Sequence, residues 1–341
     1  MAIKHTKDDS DVKKMYLDTR HCLRQGKHRP NYRLPPEAYA FGRATPISLL
    51  NAEFHFFGPD TLDNCVEMED YVRKAGYVDD NDTLIPVVYK TNDFGYREQK
   101  DMINPEHVGN CILVTGNSAA FATAQHEEDG FCYHLEEFAG IPVYNLGINN
   151  GGSKSSFRII KAWRDILQPY CTISHLVWDT TRLEFEDAIQ VGPHNWKRIF
   201  KEYYKNVDYF GDRKSEHFGG KIREPNKEQL YNQMTEIWEK DLELLLEVEK
   251  NLNVIWDLQE QHELDVDQST KEKYQDHENI LVTPWTFYKK DAKEWTDQQK
   301  EEYFASMPSR DGMHSSGQNY RDCAEKCAEI LRSRKWIPSH T

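Results

Sequence analysis

In the stretch CILVTGNSAAF, residues 111–121, an apolar run stops at Gly116 and one serine, Ser118, follows two residues later. A hydroxyl at the carboxyl end of a buried strand can attack a carbonyl if a base takes its proton and a second group orients that base. The segment SRDGMHSSGQNY near the other terminus holds such a pair, Asp311 and His314. Their spacing lets one short loop carry both the carboxylate and the imidazole it orients. The same residues have a plainer reading. Ser118 also suits the cap of a helix opening at AAFATA, and Asp and His are ordinary loop residues. If that helix forms, its free N–H groups and positive dipole end would surround the Ser118 hydroxyl and stabilise an oxyanion.

A third stretch, NLGINNGGSKSSF, could complete such a site. Gly147, Gly151 and Gly152 allow close backbone approach, and Asn149 or Asn150 offers a side-chain N–H. Neither GxxxxGK[ST] nor GxGxxG is present, so a nucleotide site has little support. The cluster HEEDGFCYH brings His126, Glu127, Asp129, Cys132 and His134 together but lacks HExxH or a CxxC pair. It reads as a solvated helix entry, and no metal is expected.

Elements able to position these residues follow a regular pattern from about residue 110. Short, non-alternating apolar runs occur at CILVTG, IPVYNLG, HLVWDT, NVIWDL and NILVTPW, as parallel strands buried on both faces require. Helical stripes lie between them. Phe157, Ile160, Trp163 and Leu167 share one face before Pro169. Leu230, Met234, Ile237, Trp238, Leu245 and Val248 share another. Tyr320, Cys323, Ala324, Cys327, Ile330 and Leu331 form a third. Alternating strands and helices predict an α/β fold with a mainly parallel sheet covered on both faces. Residues 1–105 read as an arm and a covering region of loops and short strands. Residues 106–341 read as the main domain, with an aromatic, charged insertion at about 187–227 that would project over the strand ends as a lid or a partner surface.

The chain has 341 residues and a formal charge of −14, which disfavours nucleic acid as the main partner. It contains no apolar run long enough to span a membrane. The N-terminal MAIKHTKDDSDVKK lacks a secretory core, which points to the cytoplasm, with virion association as the alternative for a particle component. Seven dispersed cysteines without a CxxC pair suit reduced thiols.

Taken in chain order, GNSAAF, NLGINNGG, HLVWDTTR and DGMH before a last helix resemble the SGNH/GDSL hydrolase family over roughly residues 90–334. The preceding YKTNDFGYRE looks like the T-N-x-x-G-x-R lead-in of some of its members. The resemblance implies a flavodoxin-like three-layer αβα fold with a five-stranded sheet. It also implies a Ser-His-Asp esterase or acyl hydrolase that needs no cofactor and acts on a small-molecule or carbohydrate ester, an O-acetyl group being one such substrate. On that resemblance Ser118 is the nucleophile, His314 the general base and Asp311 its orienting partner. Gly151 is the match for the glycine that donates a backbone N–H to the oxyanion, with Asn150 and Gly152 as neighbours. Two departures stand out. Asn117 replaces the usual aspartate before the serine. The stretch VWDTTRLEF lacks the asparagine that normally gives a further oxyanion donor. Asp179 cannot donate when ionised, whereas Thr180, Thr181 or Arg182 could. A weakly active or inactive module that uses this fold for binding or assembly is the alternative.

Overall fold

Runs such as CILVT and NVIWDL are too short for helices, and being apolar throughout they need cover on both faces. The computed structural model provides that cover. It describes residues 4–5, 34, 38–40, 51, 53–54, 69–74, 76–107, 109–148, 153–168, 171–180, 188–192, 195–198, 224–258, 266–284 and 314–339. Five strands form one sheet: β1 Gly109–Thr115, β2 Val143–Asn145, β3 Cys171–Thr180, β4 Asn253–Leu258 and β5 Ile280–Pro284. Their order is β2-β1-β3-β4-β5 and every pairing is parallel. This is the flavodoxin-like doubly wound order, whose direction of winding reverses between β1 and β3. The expected α/β three-layer class is the one observed.

The main helices are α1 Phe131–Ala139, α2 Ser153–Leu167, α3 Glu224–Val248, α4 Val266–Tyr274 and α5 Gly317–Ser333. One layer packs Trp163 and Leu167 of α2 and Trp238, Leu242 and Leu245 of α3 against Leu113, Leu176 and Val254 of the sheet. Within that layer Trp178 stacks on Trp256, ring centroids 5.9 Å apart, because β3 and β4 pair them in register. The opposite layer packs Leu135 of α1 and Cys323, Cys327 and Leu331 of α5 against Ile112, Val114, Val177 and Ile255. Each large apolar side chain buried this way stabilises the fold by about 1.5–3 kcal/mol.

The α2 and α5 stripes face the sheet as their spacing predicts, with Phe157 and Ile330 half-buried. In α3 the stripe fails at its end: Val248, the last helical residue, is 59% exposed. The side chains of Leu230 and Met234 lie outside the described residues.

Part of the N-terminal region joins this core. Trp163 Nε1 and the Tyr96 hydroxyl both donate to the Ala38 carbonyl at 2.8 Å. A third apolar cluster joins Phe54, Val72, Tyr77, Leu84, Val87 and Tyr89 to Phe121, in the turn that carries Ser118. In the insertion, Ala188–Gly192 and Asn195–Arg198 pair as an antiparallel hairpin, and the rest of residues 187–223 lie outside the described residues.

Candidate active site

In an open parallel sheet, ligands bind beyond the carboxyl ends of the strands, at the point where strand order reverses. Here that point lies between β1 and β3. β1 runs into Gly116, and the missing side chain there is a packing requirement. A Cβ on Gly116 would stand 2.6 Å from Asp179 Oδ2 and 2.8 Å from Asp179 Cβ, at the end of β3. The turn that begins at Asn117 and Ser118 therefore starts directly beside the Asp179 carboxylate.

The helix expected at AAFATA does not form. Residues 118–124 make a tight, non-helical turn, and the first α-helix after β1 starts at Phe131. The dipole argument for Ser118 falls with it. Inside the turn, Asn117 Oδ1 accepts from the Ala119 N–H at 2.9 Å, a bond that a carboxylate at that position could also make. Thr123 N donates to the Ser118 carbonyl at 2.9 Å, and Phe121 N to the Asn117 carbonyl at 3.0 Å. Ala122 and Ala124 adopt left-handed conformations, φ 59° and 63°, each costing about 1–2 kcal/mol.

The residues that hold this strained turn come from the N-terminal region. Arg97 is 1% exposed, and its guanidinium donates to the carbonyls of Ala122 (2.6 Å), Gln125 (2.8 Å) and Phe121 (3.4 Å). It also lies 4.6 Å from the centre of the Tyr89 ring. The Tyr89 hydroxyl accepts from Ala124 N at 2.8 Å. Burial draws the guanidinium's pKa down, yet the three carbonyls give the charge its partners. Arg97 belongs to the TNDFGYRE lead-in, so its place in the resemblance was the signal for a role.

A second anchor fixes β2. Lys100 Nζ donates to the Val143 carbonyl at 2.9 Å and pairs with Glu98 (3.1 Å) and Glu136 (3.0 Å). Glu136 accepts from Val143 N, and Glu98 from Asn145 N. Burial opposes the Lys100 ammonium, but the two carboxylates outweigh it and hold its pKa above the usual range. These side chains occupy backbone groups of an edge strand that would otherwise be open to another chain. Just beyond β2, Gly147 N donates to Asn145 Oδ1 at 3.0 Å. A Cβ on Gly147 would meet Phe121 N at 2.6 Å and Ala120 C at 2.7 Å. Gly147 thus provides the space that lets the loop after β2 lie against the Ser118 turn.

The C-terminal segment reaches the same turn. Gln125 Nε2 donates to the Ser315 carbonyl at 2.8 Å, and Gln125 Oε1 accepts from the Tyr77 hydroxyl at 2.8 Å. Ser316 caps α5, its Oγ accepting from Asn319 N, and Gly317 packs against Asp129. The half-buried His314 therefore enters one residue before a bond to the Ser118 turn. Ser118 is also half-buried, and among the described residues its hydroxyl and amide form no hydrogen bond, with His314 or otherwise. Asn150, Gly151, Arg182 and Asp311 lie outside the described residues, and so does the Thr180 side chain at the end of β3. Among the described residues no group of three or more His, Cys, Asp or Glu side chains could hold a metal.

Asp257, like Gln125 and Lys100, escaped the sequence reading. Asp257 on β4 pairs in register with Asp179 on β3, and both are 4% exposed. Thr283 Oγ1 donates to Asp257 Oδ1 at 3.4 Å. The signal was a repeated dipeptide, the WD of HLVWDT and of NVIWDL.

No family model matches the chain, nor does any curated protein. Among solved structures it is similar to a protein grouped with the lipolytic G-D-S-L family, from Desulfitobacterium hafniense DCB-2. That likeness has 12% identity and a TM-score of 0.39, over 65% of this chain and 99% of the other. It is similar to an acetyl xylan esterase from the rumen bacterium Butyrivibrio proteoclasticus at 8% identity and TM-score 0.39, over 69% and 67% of the two chains. A family two carbohydrate esterase from Cellvibrio japonicus gives 11% identity and TM-score 0.34, over 68% of this chain and 64% of that one. The fold assignment stands on this chain's own strand order.

Proposed function

We propose that the chain is a serine-dependent esterase of the acyl-hydrolase type, with Ser118 as nucleophile, His314 as general base and Asp311 as the group that orients the imidazole. His314 takes the Ser118 proton as Oγ attacks the ester carbonyl. The tetrahedral intermediate then collapses, and the leaving alcohol takes that proton from the imidazole. Water, activated by the same imidazole, attacks the acyl-serine and releases the acid. Backbone N–H groups of Ser118 and Gly151 receive the oxyanion, with Asn150, Thr180 and Arg182 as further binding groups. An O-acetyl ester on a carbohydrate is the substrate class proposed, in keeping with the acetyl xylan esterase among its structural likenesses.

The observation that carries this reading is the Gln125–Ser315 bond. It ties the turn holding Ser118 to the residue after His314, beyond the carboxyl end of β1, where ligands bind in this topology. The test is hydrolysis of p-nitrophenyl acetate and of acetylated xylan fragments by the wild type, Ser118→Ala and His314→Ala. Either substitution lowers turnover by at least about 10⁴-fold on this account. A wild type that hydrolyses neither ester supports the alternative, a binding or particle module built on the same fold.

A further inference from the structure

Gln125 joins two parts of the chain that are far apart in sequence, and its amide must face one way to do so. The side chain is buried. The Ser315 carbonyl can only accept, so the Gln125 NH₂ group has to face it, as it does at 2.8 Å. The amide oxygen then points away and needs a donor. Tyr77, from the N-terminal covering region, supplies it, with its hydroxyl 2.8 Å from Gln125 Oε1. The same hydroxyl accepts from His126 N at 3.4 Å and lies 3.4 Å from Asp129 Oδ2. Asp129 in turn meets the C-terminal segment, since a Cβ on Gly317 would stand 2.9 Å from Asp129 Cβ. Ser315 and Gly317, which flank the α5 cap Ser316, therefore both rest on side chains within reach of Tyr77. The phenol is itself held in place. Its ring stacks on His126, centroids 5.2 Å apart, and packs in the apolar cluster that includes Phe121. Burial first and the Asp129 charge second raise its pKa, so the hydroxyl keeps its proton and remains a donor.

We propose that Tyr77 is a positioning residue: by holding the Gln125 amide in one orientation it seats the Ser315 carbonyl, and so sets the place of the neighbouring His314 relative to the Ser118 turn. This rests on the esterase reading and extends it, because it makes the N-terminal covering region a working part of the site. The effect is geometric, and no proton moves along these bonds during the reaction. Tyr77 acts through Gln125 and the backbone of Ser315, without touching the substrate. A general base displaced by about 1 Å loses about 10²-fold in rate, so a tie one residue from His314 has a large lever on turnover.

The test compares the wild type with Tyr77→Phe, Gln125→Leu and the double variant, reading kcat and KM on p-nitrophenyl acetate together with hydrogen exchange along the chain. Tyr77→Phe keeps the ring, its stacking and its apolar contacts and loses only the hydroxyl. Its kcat falls about tenfold with KM little changed. The Asn319 and Tyr320 amides, which donate to Ser316, exchange at least about fivefold faster in it, while exchange in β4 stays that of the wild type. The double variant is no slower than Gln125→Leu, because both changes break one chain of bonds. An active wild type whose kcat and exchange are unmoved by Tyr77→Phe overturns the proposal and leaves the esterase intact. So does a double variant whose losses multiply, or a Tyr77→Phe protein in which β4 exchanges faster as well, since the hydroxyl then serves the fold at large. A wild type that hydrolyses no ester overturns the esterase reading and the positioning role together, leaving Tyr77 as a tie between two segments.

Discussion

Replacing Arg97 by methionine probes the link between the N-terminal region and the Ser118 turn. Methionine keeps much of the aliphatic length and the contact with Tyr89 but removes every donor. Two of the lost bonds, to Ala122 and Gln125, are 2.6 and 2.8 Å long. A hydrogen bond from a charged donor contributes about 1.5–3 kcal/mol. The stacking of the guanidinium on Tyr89 adds about 0.5–2 kcal/mol. Removing the buried charge recovers part of this, since burial already draws the Arg97 pKa down. The net expected loss is about 2–4 kcal/mol of unfolding free energy, read from urea denaturation. Function should suffer more than folding. The left-handed Ala122 and Ala124 lose the clamp that offsets their strain, and the turn relaxes away from the geometry that presents Ser118. Esterase kcat, measured where the variant remains folded, should fall by about 10²-fold, since misplacing reacting groups by about 1 Å costs that much. Arg97→Lys should fall between, because one ammonium cannot reach three carbonyls. A methionine variant within 0.5 kcal/mol of the wild type (about the noise of surface substitutions) and of undiminished turnover would refute the clamp.

Three further outcomes follow from the geometry. Gly147→Ala drives a methyl into the backbone of Ala120 and Phe121, which cannot rotate away; it should cost about 1–3 kcal/mol in thermal or urea unfolding and lower kcat with KM little changed. Gln125→Leu cuts the bond to Ser315 and should reduce turnover by at least about tenfold while circular dichroism stays that of the wild type. His175 is buried between Ser174 and the Trp336 carbonyl, and burial lowers its pKa to about 4. The unfolded chain binds that proton more readily, so the stability present above about pH 6.5 is lost as pH falls toward 4, by about 3 kcal/mol. His175→Gln should flatten that part of the stability curve, and an unchanged slope would show that another group is responsible.

The sheet was legible because its strands are short, apolar and closely followed by turn or helix signals, and Trp178 and Trp256 could be buried only between layers. The turn after β1 was not. Ala119, Ala120, Ala122 and Ala124 favour a helix on propensity alone, but Arg97 and Tyr89, brought in from a separate part of the chain, fix two of them in left-handed conformations. Such an override leaves no trace in the local sequence. Val248 was misplaced for a simpler reason: periodicity tells which residues share a helix face, not how far along the helix that face stays covered. For the candidate site, residue type and spacing singled out Ser118 and the segment entered by His314. Gln125, which connects them, looks like any surface glutamine in a string of residues. Asp257 could have been found by comparing the two WD strand ends, and its significance appears only once β3 and β4 are seen to pair in register.

The central claim is that Ser118 is a nucleophile served by His314. Treating the folded protein with a fluorophosphonate and mapping the adduct by peptide mass spectrometry tests it most directly. One adduct, on Ser118, absent from Ser118→Ala and greatly slowed in His314→Ala, is the predicted result. A wild-type protein that stays unmodified, or that carries its adduct on another residue, contradicts it.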